Sequence, residues 1–343
     1  MKKYILFSDA KSVHTIKWLR ELVRYYDIYL VSLNGYSKEV LEYIDKEKVF
    51  VLNSSVNAKG GNFALVFKYF KLLKIVKDIK PHYLNAHYLS SYGFIASLVK
   101  RSYKDVKLIQ STWGTDVLVT PFSGKINFFV AKFALKSADY ITSDSYFMSK
   151  KIDKIYKNTT TLTFPFGLDD FKINTAIKKD EFLIYSNRIL SENYNIDKII
   201  KWFNSLDKRF KLVIANSGNL KEQLESLVRE LNLTSRVEFV GFLSKDEQEF
   251  YYKSAKYYIS IPISDSTSVS LLEAMKFGCY PIVSSIPVNK EWIEDGKNGS
   301  FFRSKLDLLN INTKEIIYNN QQLIKQKAIF SKSIKEFVQT LES

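Results

Sequence analysis

At 343 residues the chain is sized for two domains. Its 46% hydrophobic and 25% charged residues exclude a disordered or polytopic protein, and no stretch approaches the ~18 consecutive apolar residues of a spanning helix. The net charge of +15 calls for an anionic partner or surface and is lopsided: residues 1–170 carry 26 Lys+Arg against 15 Asp+Glu, residues 171–343 only 25 against 21.

Taken in chain order, Lys2 and Lys3 precede only Tyr4–Phe7 before Ser8 and Asp9 interrupt the run, too short for a secretory leader, so the protein is expected in the cytoplasm. Strands are predicted over Tyr4–Phe7, Ile28–Leu33, Val49–Leu52, Tyr83–Ala86, Lys107–Ser111, Tyr140–Thr142 and Thr161–Phe164, with segments of helical period between them. One of these, Phe63–Lys80, has Lys68, Lys71, Lys74, Lys77 and Lys80 on an apolar background. A step of three winds lysines around a helix, which leaves a solvated face and a membrane-surface role both open. The lysine-rich stretch Lys172–Asp180 reads as a hinge, and strands restart at Phe182–Ser186, Lys211–Ala215, Val237–Val240, Tyr257–Ile261 and Tyr280–Ser284. This α/β pattern predicts two doubly wound parallel sheets, over residues 1–171 and 172–343, with the last helix able to pack back on the first domain. Ligands of such sheets lie beyond the carboxyl ends of the strands, here expected in a cleft between the two. The single cysteine, Cys279, can form neither an internal disulfide nor, alone, a zinc site.

The most informative stretch is Ser264–Gly278, SDSTSVSLLEAMKFG, which reads as loop then helix after a strand. Ser266, Thr267 and Ser268 are good N-caps, Gly278 fits the C′ position, and the helix start offers free N–H groups and positive potential to a phosphate. Ser270 and Glu273 also have capping-box spacing, so Glu273 either closes that box or serves as a ligand-binding carboxylate.

Asp265 and Glu273, eight apart and followed by AMKFGCYPIV, resemble the E-x7-E segment of retaining glycosyltransferases of family 4, which have the GT-B fold. FSDAKSVHTIKWLREL, NAHYLSSYGF, STWGTD, ADYITSDS and FPFGLDDF, then SNRIL, LVIANSG, VEFVGFLSKDE and EWIEDGKNGSFF follow in the family's order. The resemblance implies that Glu273 holds the ribose of a nucleotide-sugar donor and that Asp265 lies near the sugar. It further implies that the N–H groups of Val269 and Ser270, beside Ser268, take the distal phosphate, that Arg188 neutralises the diphosphate, and that Phe242 lies on the donor side. The alternative for Arg188 is a surface ion pair. Ser12, His14, His87, Trp113 and Asp116 are implied on the acceptor side.

Three departures stand out. Asn193, counted with the donor-binding residues and followed by Tyr194, occupies the family's lysine position, so one phosphate-neutralising charge is missing or supplied from elsewhere; Trp113, Gly114, Thr115 and Asp116 replace a histidine-led segment; and Asp9 to His14 replace a glycine-rich loop. Among the histidines, His82 is expected on the surface, His87 in the cleft or the core, and His14 in the cleft or at a helix start.

No D-x-D segment or metal-ligand spacing is present, so no metal or other cofactor is expected. The reading is a retaining, metal-independent transferase using a nucleotide-sugar, UDP-sugar favoured, and a lipid-linked or glycan acceptor in bacterial surface polysaccharide or glycolipid synthesis. It would sit peripherally on an anionic inner membrane face. The rivals are a nucleotide-sugar epimerase or phosphorylase on the same sheets and a basic nucleic-acid-binding protein, for which no motif is present.

Overall fold

In the computed structural model, residues 1–52, 64–157, 161–309, 311 and 314–343 are described. Phe63, at the start of the lysine-rich segment, lies outside them. The chain divides into two compact units, Met1–Phe164 with Ser331–Ser343, and Pro165–Phe330. The division falls between Phe164 and Pro165 rather than at 171, and the last thirteen residues belong to the first unit.

The first unit runs β1 (Lys3–Phe7), α1 (Val13–Leu22), β2 (Asp27–Ser32), β3 (Val49–Val51), α2 (Ala64–Ile79), β4 (Tyr83–His87), α3 (Tyr92–Ser102), β5 (Lys107–Ser111), α4 (Thr115–Leu118), α5 (Lys125–Ser137), β6 (Tyr140–Ser143), α6 (Tyr146–Ile155) and β7 (Thr161–Thr163). Its strands pair in parallel in the order β3-β2-β1-β4-β5-β6-β7. The order reverses between β1 and β4, the position where such sheets bind ligands. Val, Ile and Leu runs bury both faces of the strands, as a parallel sheet requires.

The second unit runs β8 (Asp180–Ser186), α7 (Ile196–Asn204), β9 (Lys211–Ala215), α8 (Lys221–Glu230), β10 (Val237–Gly241), α9 (Lys245–Ser254), β11 (Ala255–Ser260), α10 (Val269–Lys276), β12 (Tyr280–Val283), β13 (Ser300–Phe301) and α11 (Lys314–Lys327). Its sheet is also parallel, in the order β10-β9-β8-β11-β12-β13, and reverses between β8 and β11. The final helix α12 (Phe330–Glu342) returns to the first unit, where the Tyr83 hydroxyl donates to the Leu341 carbonyl at 2.7 Å and Phe337 packs edge-on against Trp18.

The stretch Lys172–Asp180 is not a free hinge. The Asn174 N–H donates to Gln321 Oε1, and Lys179 Nζ donates to the carbonyls of Tyr252 and Phe277, each at 2.7 Å. The polar residues that read as linker are the ones that satisfy buried carbonyls of the second unit. Beside Lys179, the Cys279 thiol donates to the Tyr252 carbonyl, and burial pushes it up to about 11.

Candidate active site

In the second unit β8 ends at Ser186, and the next two residues enter the site. Arg188 Nη1 donates to Ser268 Oγ and Nη2 to Asp265 Oδ2, each at 2.8 Å, while its guanidinium lies 4.4 Å from the centre of the Tyr194 ring. The side chains of Arg188 and Asp265 are only 11% and 16% exposed, so this is an enclosed pair and not the surface ion pair that was the alternative for Arg188. Burial raises the Asp265 carboxyl above its ordinary range, with Arg188 opposing that shift. Asp265 therefore pairs with the cation of Arg188 inside the site.

Asn193 is engaged by the backbone of the neighbouring loop. Its carbonyl accepts from the Ile263 N–H, its Oδ1 from the Ser264 N–H, and its Nδ2 donates to the Ser264 carbonyl. These three bonds fix the backbone immediately before Asp265, so the residue in the family's lysine position organises the loop and brings no charge.

Ser268 is the N-cap of α10 and accepts from the Leu271 N–H, which rules out the Ser270–Glu273 capping box: the cap lies two residues earlier and Leu271 holds the third helical position. The helix ends as its glycine foretold. Gly278 adopts φ +80, its N–H donates to the Met275 carbonyl, and the Cys279 N–H reaches back to Ala274. Val269 and Ser270 thus begin α10 beside Arg188. One turn further, Glu273 lines a cavity of about 230 Å³ with Phe242, Lys245, Gln248, Tyr252 and Lys276. Phe242 follows Gly241, whose φ of +74 turns the chain out of β10, and it is 81% exposed. Asn187, which the sequence reading passed over, joins the two places. Its Nδ2 donates to Tyr252 Oη at 2.8 Å and to Gln248 Oε1 at 3.1 Å, and its Oδ1 accepts from Tyr258. The only signal for Asn187 was its place beside Arg188 at the carboxyl end of a strand, and Tyr194 was named without a role.

The first unit gathers a second cluster. The Trp113 ring stands 5.0 Å from His14 and 5.2 Å from His87, and Trp18 meets His87 edge-on at 5.3 Å. Ser12 caps α1, its Oγ accepting from the His14 N–H. Asp116 is spoken for: Oδ1 accepts from the Trp113 N–H and Oδ2 from the Leu89 N–H, and burial pushes its carboxyl up to about 6. It holds the turn that presents Trp113, a turn in which Gly114 has φ +115. His82 is exposed, as expected. His87 is fully buried, and neither ring nitrogen has a hydrogen-bond partner among the described residues.

Burial, with a smaller contribution from His14, lowers His87 to about 3. An unfolded chain protonates its histidines near 6.5, so acid draws protons into the unfolded state that the folded state refuses. Stability contributed by His87 is complete above pH 6.5 and declines below it. Denaturant titration should show wild type losing roughly 2 kcal/mol more than His87→Phe between pH 7 and pH 5. Parallel pH profiles would show that another group carries the acid sensitivity.

Among the described residues no group of three or more His, Cys, Asp and Glu is placed to hold a metal ion, and no helix is long and apolar enough to cross a membrane.

The enclosed Arg188 thus stands at the start of α10, at the switch point of the second doubly wound sheet, where helix N–H groups and an arginine favour an anion. A family model described as "Glycosyl transferase 4-like" matches residues 3–145, and one described as "Glycosyl transferases group 1" matches residues 168–329. Residues 3–145 are thus a glycosyl transferase 4-like domain and residues 168–329 a group 1 glycosyl transferase domain, and the two parallel sheets have the GT-B fold. It is 29% identical over 156 residues to an uncharacterized glycosyltransferase of Methanocaldococcus jannaschii, covering 43% of this chain and 40% of the relative. It is 24% identical over 183 residues to the alpha-monoglucosyldiacylglycerol synthase of Streptococcus pneumoniae, covering 50% of this chain and 42% of that protein. The chain thus spans about four tenths of the length of these two relatives. A crystal structure of Anabaena HepE in complex with UDP matches with a TM-score of 0.78 at 16% identity, covering 100% of both chains, a likeness of fold.

Proposed function

We propose that the protein transfers a sugar from a nucleotide-sugar, a UDP-sugar by preference, to a lipid-linked or glycan acceptor of a bacterial surface polysaccharide or glycolipid, with retention of anomeric configuration and without a metal. The observation that carries this reading is the placing of Arg188 at the start of α10, against Ser268 and Asp265. An arginine and the first N–H groups of a helix both stabilise the charge that grows on a departing diphosphate. The cavity between Phe242 and Glu273 suits the nucleoside, Glu273 accepting from the ribose hydroxyls. The UDP in the HepE complex and the glycolipid named in the pneumococcal synthase support the donor and acceptor classes.

In this reaction the bond from the anomeric carbon to the diphosphate breaks, and a bond to the acceptor oxygen forms on the same face. The acceptor's proton passes to the leaving phosphate oxygen, so no protein base is required. His14 and Trp113 receive the acceptor from the first unit, with His87 and Asp116 supporting them. Asn193 acts by holding the loop that carries Asp265. The lysines of α2 draw the protein to the anionic inner face of the membrane, where a lipid-borne acceptor is found in two dimensions.

The test is a screen of UDP-, GDP- and ADP-sugars for slow hydrolysis by purified protein, repeated in EDTA. UDP-sugar hydrolysis that survives chelation is the expected result. Hydrolysis of none of the donors would sink the transferase reading, and a loss reversed by Mg²⁺ would move the leaving-group chemistry to a metal.

A further inference from the structure

Two helices of the first unit present the same unusual surface. On α2, Phe67 is 72% exposed, and Phe70, Lys71, Lys74 and Lys77 are exposed beside it, while Leu72, Val76 and Ile79 turn inward. At ~100° per residue these five residues fall within about 120° of arc, an arc that also holds the exposed carboxylate of Asp78, so three lysines face one acid there. Lys68 is not among them, because its Nζ donates to the Leu52 carbonyl at 2.6 Å. The regular lysine spacing, which reads as a winding distribution, therefore resolves into a half-buried Lys68 tied to the end of β3 and an outward, mainly basic and aromatic face. On α5, Ile126 is 79% exposed, with Phe129, Lys125, Lys132 and Lys136 exposed around it, again within about 120°. Val119 and Phe122, just before α5, are exposed as well, and α5 contains no acidic residue.

The topology sets the two faces on one side of the sheet. α3 lies between them, tied to α2 by the Tyr69 and Ser102 hydroxyls at 2.6 Å and to α5 by Phe94 against Phe133 at 5.7 Å. Helices connecting parallel strands run opposite to those strands, so the first turns of α2 and α5 both lie toward the carboxyl edge of the sheet. The Lys68 bond to Leu52, just past the end of β3, fixes that end of α2 directly. Exposed apolar groups thus collect at the edge near Trp113, and the later turns of both helices supply lysines behind them.

A soluble surface gains nothing from exposing Val119, Phe122, Ile126 and Phe129 within eleven residues. Apart from Lys125, which opens α5, the apolar side chains lead and the lysines trail, which matches the depth profile of an anionic bilayer, with hydrocarbon below and negative headgroups above. A neutral partner would leave the lysines without counter-charges, and a nucleic acid would leave the apolar groups in water. We propose that the segment from Val119 to Lys136 inserts its apolar residues into an anionic lipid surface, with the outer face of α2 as a second, mainly electrostatic, contact. The proposal deepens the membrane-linked acceptor of the preceding reading and rests on it for purpose, but not for its physics. Its consequence is that the edge bearing Trp113 and His14 is held at the headgroup level.

The experiment is sedimentation of the full chain with phosphatidylcholine vesicles, with and without phosphatidylglycerol, in the absence of donor and acceptor. Wild type is expected to bind only the anionic vesicles, less so as salt rises. The triple variant Phe122→Ser, Ile126→Ser, Phe129→Ser, all exposed positions, should bind at least tenfold more weakly, with UDP-sugar hydrolysis in solution unchanged. A tryptophan placed by Ile126→Trp should be quenched by brominated lipid in anionic vesicles. Unaltered binding of the triple variant, equal binding to neutral vesicles, or no quenching overturns the proposal, as does a wild-type dimer in solution that the triple variant abolishes. Anionic-vesicle binding lost in the triple variant, with no donor hydrolysed by any form, would support the lipid surface and refute the transferase.

Discussion

Arg188→Ala and Glu273→Gln are each expected to lower sugar transfer by on the order of 10²–10³. The two should fail differently. Glu273 lines the cavity with Phe242 and lies a full turn beyond Ser268, so its loss should chiefly raise the donor KM. Arg188 faces Ser268 and Asp265 at the start of α10, where leaving-group charge would develop, so its loss should fall on kcat. Removing Arg188 also leaves the Asp265 carboxyl enclosed without its partner, and thermal melts must accompany the kinetics. Asp265→Asn with Arg188→Ala relieves that penalty, so a double variant that regains stability without regaining transfer separates the two effects. A wild-type kcat/KM for the donor in either single variant would dismiss the assignment.

Gly218→Ala is expected to cost about 3 kcal/mol, the upper part of the range for overpacking. A Cβ at Gly218 would meet the Leu190 carbonyl oxygen at 2.2 Å and its carbon at 2.6 Å. Those are backbone atoms, so no rotamer change can make room. The same backbone is hydrogen-bonded on both sides, the Leu190 N–H to the Ser217 carbonyl and the Leu190 carbonyl to the Leu220 N–H. Leu190 is two residues from Arg188, and the strain should therefore reach the site: a lower denaturation midpoint together with weaker donor binding. An alanine variant with wild-type stability would show that the two loops part easily and that Arg188 is not held by this contact.

The sheets were legible because their strands are runs of Val, Ile, Leu and aromatic residues bounded by polar turns, and twelve of the thirteen strands among the described residues fall where such runs stand. Ser300–Phe301 escaped because two residues carry no periodicity. Element ends were legible where a single residue decides them, as Ser268 and Gly278 do for α10. Contacts across the chain were not. Arg188 meets Asp265 77 positions away, and nothing local to either residue announces the pairing. Asn193 misled because a polar residue at a phosphate position looks like a weaker ligand, whereas its amide has the two-way geometry to hold a neighbouring backbone. Lys172–Asp180 misled in a similar way: charge suggests solvent, yet Lys179 is drawn inward by two carbonyls. On α2 and α5 the ordinary rule that aromatic residues turn inward failed, since Phe67, Phe70 and Phe129 stand in the open, and only the solved burial of each helix reveals it.

Cys279 carries a practical consequence for anyone studying the protein. With its thiol raised to about 11, the reactive thiolate amounts to roughly one part in 10⁴ at pH 7, and the sulfur is enclosed as well. Maleimides and disulfide reagents should pass the native chain by, so a cysteine introduced on an exposed helix face would be labelled alone. The native thiol then becomes a clock. The rate at which it takes up label reports how often the second unit opens around Tyr252 and Ala255, whose carbonyls it faces, and a bound nucleotide-sugar should slow that clock in proportion to its occupancy.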